Sequence, residues 1–323
     1  MHRRRFVAAI GIALAAPLGA QAQQARLYRI GVVFQGGPYA AAIDGLRQGL
    51  KELGFAEGRQ FVFHVRDVKG DLKAVEATAR SLELEKVDLI YAIGTSTTLA
   101  VKRATKSVPI VFYGGADPVA LGLIADFRKP GGRLTGIHSR FSDLVAKRLE
   151  LLKALIPSLS RVIIFYNPDN AVATQSMKTA RDASRRLNLQ LIERSVRSVE
   201  ELRASLAALQ PGEGDAVLAV SDGMVTSQAE LMIAAANANK LPTMLAEQTS
   251  VAKGALASYG VSYYTCGMRA AKYVQRVLLG ANPGDLPIEQ LDTPHLVINL
   301  QAAKALGLTI PQSVLTRADE VIH

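Results

Sequence analysis

Polar side chains recur at the points where predicted strands end and helices begin, and these residues are the ones best suited to chemistry. The set comprises Gln35, Thr95, Ser96, Asp117, Asn167, Asn170, Asp222 and Glu247. Backbone N–H groups at a helix start, with threonine and serine hydroxyls beside them, suit a carboxylate. Asp222 and Glu247 could pair with an ammonium group. Each residue alone also has a structural explanation as a cap or turn residue, but acids, amides and hydroxyls in both halves favour one shared binding cleft.

Aromatic residues lie beside the same turns. They are Tyr39, Phe112, Tyr113, Tyr166 and Tyr259. Their rings could stack on an apolar or aromatic part of a ligand, although Phe112 and Tyr166 fall inside strands, where core packing is expected. The chain has no tryptophan to serve as a stacking plate for a sugar. These residues therefore favour a zwitterionic, amino-acid-like ligand.

The elements that must position these residues follow a repeated pattern of strand, turn and helix. An apolar run at residues 87–93 stops at Gly94, hydroxyl residues open a helix, and a second apolar run follows at residues 109–113. Open α/β sheets hold anionic ligands at the carboxyl ends of such strands. The pattern restarts after about residue 138, and the sequence therefore predicts an α/β protein with two doubly wound parallel-sheet lobes facing a cleft.

The amino terminus has the three parts of an export signal. Arginines at positions 3–5 precede an apolar stretch from Phe6 to Ala16, and Ala20-Gln21-Ala22 offers a cleavage site. The apolar stretch is too short to span a bilayer, and the arginines leave both the general secretory and the twin-arginine routes open. Cys266 is the only cysteine, so no intramolecular disulfide can form. These features predict a periplasmic protein whose leader, residues 1–22, is removed.

Composition and missing motifs exclude several functional classes. Of the net charge of +10, Arg3, Arg4 and Arg5 of the leader contribute three. The remaining +7 comes from residues scattered along helices, without a basic run or interleaved aromatics, which argues against a nucleic-acid partner. No phosphate-binding glycine loop, nucleophile elbow or zinc-binding helix motif is present, and the five histidines are widely separated. We therefore expect no metal, cofactor or catalysis. An enzyme acting on a small carboxylate-bearing substrate remains the alternative, since Asp117, Asp222 and Glu247 could do acid–base work.

Several separated segments resemble one protein family. The segments GTSTTLAVKRATKSVPIVFYGGADPVALGLI, KRLELLKALIPSLSRVIIFYNPDN and HLVINLQAAKALGLTIPQSVLTRADEVI are similar to ABC-transporter substrate-binding proteins of the tryptophan/tyrosine-binding group. The resemblance covers essentially the whole chain after the leader. It implies a type I periplasmic-binding-protein fold with a hinged cleft and no catalysis. It also implies an extracytoplasmic monomer that delivers an amino acid or aromatic acid to the permease subunits of an importer.

Carried over by position, the resemblance places ligand contacts at the polar set named above, apart from Gln35. In the stretch NPDNAVATQS the contact falls at either Asn167 or Asn170, because this stretch departs from the family pattern. The implied fold crosses between lobes, with residues 26–138 and 252–283 in lobe 1 and residues 139–251 and 284–323 in lobe 2. A transcription regulator's effector domain shares this fold, but an export signal stands where a DNA-binding motif would be expected.

Overall fold

The computed structural model describes residues 26–323, and the predicted leader lies outside the described residues. Within this range the chain forms two lobes, each built on one sheet. The first sheet has the order β11-β5-β4-β3-β1-β2, and every neighbouring pair in it is parallel. Its strands are β1 Tyr28–Phe34, β2 Phe61–Asp67, β3 Leu89–Ile93, β4 Ile110–Gly114, β5 Leu134–His138 and β11 Glu289–Gln290.

The second sheet has the order β13-β12-β10-β9-β8-β6-β7. It is parallel except where β12 runs antiparallel to β10. Its strands are β6 Arg161–Tyr166, β7 Gln190–Ser195, β8 Ala216–Leu218, β9 Thr243–Leu245, β10 Ala257–Gly260, β12 His295–Asn299 and β13 Glu320–Ile322. Short central strands such as β3, β6 and β8 are almost entirely buried, as expected of parallel strands covered on both faces.

Helices cover both faces of each sheet. They are α1 Ala40–Glu52, α2 Ala74–Leu84, α3 Thr95–Ala104, α4 Leu144–Leu155, α5 Ala171–Arg186, α6 Val199–Ala207, α7 Gly223–Ser227, α8 Ala229–Ala238, α9 Thr249–Ala252, α10 Tyr263–Leu278, α11 Leu300–Ala305 and α12 Gln312–Leu315. Each lobe consequently has two apolar cores, one on each face of its sheet. The predicted fold class is confirmed. Across residues 26–323, none of the helices is both long and apolar enough to cross a bilayer.

Sheet membership differs from the predicted lobe boundaries in two places. Strand β10 pairs with β9 and β12, so the chain leaves lobe 2 only after Gly260, about nine residues later than predicted at position 252. Helix α10 then packs against α1 of lobe 1. Strand β11 pairs with β5, and Leu286 is buried in a lobe 1 core, so lobe 1 continues past residue 284 to about residue 291. The three crossovers therefore lie near residues 139–143, 261–262 and 291–295.

Candidate functional site

A cavity lies between the two lobes, at the carboxyl ends of their central strands. Its volume is about 30 Å³, enough for one or two water molecules, and it is partly open to solvent. Most of its lining comes from lobe 1, at the turns after β1, β3 and β4. Lobe 2 contributes Val172, Ser221 and Gly223, and Phe141 belongs to the first crossover. The predicted convergence of strand ends from both lobes on one cleft is therefore observed.

The turn between β3 and α3 supplies the main polar surface of the cavity. Gly94 precedes the helix with a φ of 99°, and no side chain caps the first turn. Neither Thr95 nor Ser96 is the helix cap, although capping was the simpler explanation of both residues. Because the helix start is uncapped, its N–H groups and the positive end of its dipole are available to an anion.

Thr95 links two turns of lobe 1. Its Oγ1 accepts hydrogen bonds from the backbone N–H groups of Gly115 and Ala116, at 3.0 and 3.1 Å. Thr95 is almost fully buried, yet it lines the cavity. The hydroxyl therefore fixes the turn after β4 against the start of α3, and the shape of the cavity depends on it.

Ser96 connects the two lobes directly. Its hydroxyl donates a 2.8 Å hydrogen bond to Oδ1 of Asn170, and the same oxygen accepts the N–H of Val172 at 3.1 Å as the N-cap of α5. Nearby, Nε2 of Gln35 donates to the Thr97 hydroxyl at 3.2 Å. Gln35, Ser96 and Asn170 are thus buried together where the lobes meet.

Four aromatic rings form a wall of the cavity. Tyr39 and Tyr263 stack with their centroids 4.8 Å apart and an interplanar angle of 18°. Tyr113 and Phe141 lie at 5.6 and 6.0 Å from Tyr263. Burial raises the pKa of Tyr39 to about 12, so its hydroxyl stays protonated at neutral pH. The wall can therefore stack on a flat apolar group and offer hydroxyl hydrogen bonds at its edge.

Two polar residues of lobe 2 are already satisfied by the turns around them. Asp222 Oδ2 accepts the N–H of Asn167 at 2.7 Å, and Oδ1 accepts the N–H groups of Met224 and Val225 at 3.0 and 3.3 Å. Asn167 Oδ1 in turn accepts the N–H of Asp169. Burial raises the pKa of Asp222 and outweighs these hydrogen bonds. Neither Asp222 nor Asn167 lines the cavity; they support Ser221 and Gly223, which do.

Glu247 is a buried carboxylate that, like Asn170, does not line the cavity, and one of its oxygens is free. Its Oε2 accepts the N–H of Thr249 at 2.8 Å and the hydroxyl of the same residue, whereas Oε1 has no hydrogen-bond partner within residues 26–323. Burial raises the pKa of this carboxyl group. Burial raises the pKa of Tyr263, a residue of the aromatic wall, and the nearby charge of Glu247 adds a smaller increase. A buried acceptor without a partner is costly, and a cationic group beside it would remove that cost.

Arg148 is a buried cation behind the same wall. The residue is 0% exposed, its Nε donates to the carbonyl oxygen of Tyr259 at 2.7 Å, and its guanidinium lies 4.2 Å from the centre of the Phe141 ring. Both Nη atoms lack partners within the described residues. Burial lowers the pKa of this guanidinium to about 10, which leaves it charged at neutral pH. A positive and a negative group thus lie behind the aromatic wall.

Comparison with known proteins identifies the family. The profile of the family described as "ABC transporter substrate binding protein" matches residues 29–322. The chain belongs to this family. A tyrosine-binding protein of Clostridioides difficile (strain R20291) is 30% identical over 267 residues, which cover 83% of this chain and 76% of the relative. Substrate-binding proteins of this family act outside the cytoplasmic membrane, and the chain is a binding protein rather than an enzyme, as expected.

Solved structures of the family show the same architecture. A structure from Streptococcus pneumoniae in complex with L-Trp has a TM-score of 0.82 at 27% identity, covering 92% of this chain and 100% of that one. A ligand-free, open substrate-binding protein with adhesive properties from Clostridium difficile has a TM-score of 0.60 at 26% identity, covering 92% and 99%. The type I periplasmic-binding-protein fold of this substrate-binding protein is therefore confirmed.

Among the predicted site residues, Asp117 is the one whose position in the structure fits ligand binding least. Its side chain is exposed, and its Oδ1 accepts the N–H groups of Val119 and Ala120 at 2.9 and 3.2 Å. It does not line the cavity. The residue ends the turn after β4 as an ordinary Asx turn, which was the simpler reading of the Asp-Pro pair.

Sequence reasoning missed three residues of the site. Phe141 sits on the first crossover, which carries no strand or helix periodicity, and Tyr263 is the first residue of α10, directly after the second crossover. Arg148 did leave a signal: it lies three residues after Val145 and four before Leu152, which places a charge on the buried stripe of α4. Of the five aromatic candidates, Tyr39 and Tyr113 line the cavity, and Phe112 and Tyr166 pack in cores as expected. Among residues 26–323, no cluster of potential metal ligands occurs.

Proposed function

We propose that this substrate-binding protein captures an aromatic amino acid between its lobes and delivers it to the permease of an ABC importer. The observation that carries the proposal is the composition of one cavity. An uncapped helix start, suited to a carboxylate, and a four-ring aromatic wall border the same space. A sugar would need polar contacts around its whole ring, whereas this wall is mostly apolar.

The two ends of the ligand would find different partners. The α-carboxylate would accept hydrogen bonds from the N–H groups of Thr95 and Ser96 and from the Thr95 hydroxyl, at the positive end of α3. The ammonium group would be placed near the free oxygen of Glu247, and the side chain would stack on Tyr39 and Tyr263. Arg148 and Glu247, both buried behind this wall, would favour a ligand that carries both charges.

Lobe closure would hold the ligand. The hydrogen bond from Ser96 to Asn170 joins the lobes, and the bond between Asp222 and the backbone of Asn167 keeps the lobe 2 turns in shape. A ligand that touches both lobes stabilises the closed state by its differential affinity for that state. The relatives support the ligand class, because one is named for tyrosine and another was solved with L-Trp.

The cellular setting is part of the same proposal. The leader predicted at residues 1–22 would direct the chain to the periplasm and be cleaved near Ala22. The protein would work there as a monomer, with permease subunits as its protein partners and without a cofactor.

A binding screen tests the ligand class. The purified protein, from Gln23 onward, is measured by thermal shift and titration calorimetry with L-Trp, L-Tyr, L-Phe, L-Leu and a panel of sugars. Two analogues complete the set: tryptamine, which lacks the carboxylate, and indole-3-propionate, which lacks the ammonium group. We expect L-Trp or L-Tyr to raise the melting temperature and to be recovered unchanged. Each truncated analogue should bind at least about tenfold more weakly, since a hydrogen bond to a charged group contributes about 1.5–3 kcal/mol. Binding of sugars alone would overturn the proposal.

The Glu247→Gln variant tests the ammonium contact. It keeps the size of the side chain and removes its charge, so affinity for the amino acid should fall at least about tenfold. In the wild type, affinity should also decrease as the pH is lowered through the raised pKa of Glu247, because a protonated carboxyl cannot pair with ammonium, and the variant should lose this dependence. Asp117→Asn is the matched control, since that carboxylate is exposed and accepts two backbone N–H groups of its own turn, whereas Glu247 is buried. Equal affinities for the two variants would remove Glu247 from the site.

A further inference from the structure

The lobes touch at a second place, away from the cavity. Ser227, the last residue of α7 in lobe 2, faces two glycines of lobe 1. A Cβ atom on Gly37 would lie 2.7 Å from the carbonyl oxygen and 2.9 Å from the Cα of Ser227. A Cβ atom on Gly70 would lie 2.7 Å from Ser227 Oγ and 2.8 Å from a methyl group of Val199. These separations are shorter than real Cβ contacts. At Gly37 the close atoms belong to the backbone of Ser227, so only glycine fits while the lobes hold this arrangement; at Gly70 they are side-chain atoms, which would have to move.

Backbone conformation alone does not account for this contact. Gly37 and Gly70 both have positive φ angles, 58° and 89°, which favour glycine by themselves. Lobe 1 contains other glycines with similar angles and open surroundings. Gly132 has a φ of 61° and Gly58 a φ of 80°, and a Cβ atom on either would meet nothing within 4 Å. The close approach to Ser227 is therefore a second reason for glycine at Gly37 and Gly70, and this reason does not apply to Gly132 and Gly58.

We infer that Gly37, Gly70 and Ser227 form a docking contact of the closed state, which positions the lobes and sets ligand affinity without touching the ligand. None of the three lines the cavity. The inference rests on the proposed capture of a ligand by lobe closure. A change that raises the free energy of the closed state lowers the equilibrium constant for closure. The apparent affinity then falls by the same factor as that equilibrium constant. The lobe arrangement also matches the L-Trp-bound relative more closely than the open, ligand-free one.

Matched alanine substitutions test the inference. Gly37→Ala and Gly70→Ala are compared with Gly132→Ala and Gly58→Ala, which impose similar φ strain in the same lobe. All four variants should lose a similar amount of thermal stability without ligand. Affinity for L-Trp or L-Tyr, measured by calorimetry, should fall at least about tenfold in the first pair and stay within about twofold in the controls. Gly37→Ala should have the larger effect, since it meets backbone atoms of Ser227. Unchanged affinity in both docking variants would overturn the inference.

A distance measurement separates this inference from the proposed ligand class. Ala77 on α2 and Ala207 on α6 are exposed residues of opposite lobes, and Cys266 is buried. Spin labels at Ala77→Cys and Ala207→Cys, in a Cys266→Ser background, report the lobe separation with and without the probe amino acid. We expect a short-distance population in the wild type and the controls that is reduced in both docking variants. If L-Trp and L-Tyr do not bind, the proposed ligand class fails, while the distances without probe still test the contact. Identical distributions in all variants, or no short distance in any sample, would overturn it.

Discussion

The two lobes place similar polar residues at the same end of their sheets but use them differently. In lobe 1, the side chains of Gln35, Thr95 and Ser96 line the cavity. In lobe 2, Asn167 and Asp222 lie behind the cavity surface and bond to nearby backbone N–H groups. The same residue types can therefore serve a ligand or a turn. What decides between these roles is whether the local backbone has already taken their hydrogen bonds.

Helix starts show the physical origin of this difference. Helix α3 follows Gly94 and has no capping side chain, so its first N–H groups remain available. Helices α5 and α7 begin at Asn170 and Asp222, whose side-chain oxygens accept the first N–H groups. Lobe 1 thus offers one uncapped helix start to an anion, while lobe 2 offers a rigid frame. We expect substitutions in lobe 1 to act mainly on affinity and substitutions in lobe 2 mainly on stability.

The largest expected effect is that of Asp222→Ala. The change leaves the buried N–H groups of Asn167, Met224 and Val225 without their acceptor, at a cost of about 1–3 kcal/mol for each unsatisfied group. The melting temperature without ligand should fall by several degrees, measured by calorimetric scanning, while the affinity of the folded protein changes less than about threefold. Asp222→Asn, which keeps a capping oxygen, should recover part of the stability. A large loss of affinity at an unchanged melting temperature would instead place Asp222 among the ligand contacts.

Ser96→Ala should have a smaller effect, and it should change ligand affinity rather than thermal stability. This substitution removes the hydrogen bond between Ser96 and Asn170 across the lobes, whose net contribution is about 0.5–1.5 kcal/mol. Affinity should fall by about threefold to tenfold, and thermal stability without ligand should hardly change. Ser81→Ala is the control, because Ser81 bonds to Glu85 within lobe 1 and far from the cavity. Loss of stability without loss of affinity would remove the proposed difference between the lobes.

The part of the site that could be predicted from the sequence is the part set by local pattern. The apolar run of β3 followed by Gly94 and three hydroxyl residues predicted both the turn and its place at the cleft. The roles of Asp222 and Asp117 could not be predicted, because a capping carboxylate and a ligand-binding one have the same local sequence. Burial and the direction of nearby N–H groups distinguish them, and both depend on tertiary structure.

Fold prediction had the same limit. The alternation of strands and helices predicted both lobes, since periodicity is a local property. The crossovers depend on which sheet a short segment joins. Strand β11 has only two residues, and β10 precedes a helix of the other lobe, so neither carries a signal of its sheet. Phe141 lies on the first crossover and Tyr263 begins the helix after the second, which is why the aromatic wall was only partly predicted.

The smallest expected effect concerns the opposite ends of the sheets, where the lobes behave alike. Burial opposes ionisation of Glu83 in lobe 1, but N–H groups of Ser107, Val108 and Lys106 outweigh it and hold its pKa at about 2. In lobe 2, burial likewise opposes ionisation of Asp215, but Ser160 and Arg161 hold its pKa at about 2. Both carboxyls titrate near pH 4 when unfolded.

The folded-state pKa of these two carboxyls is depressed, so their contribution to stability is present above about pH 4 and is lost as the pH falls towards 2. Glu83→Gln and Asp215→Asn should therefore each flatten the decline in melting temperature over this range, by similar amounts. Glu150→Gln, on the surface of α4, is the control. If only one of the two variants flattens the decline, the lobes differ at both ends of their sheets and not at the cleft alone. Equal flattening would confine the difference to the cleft, where the uncapped start of α3 has no counterpart at α5 or α7.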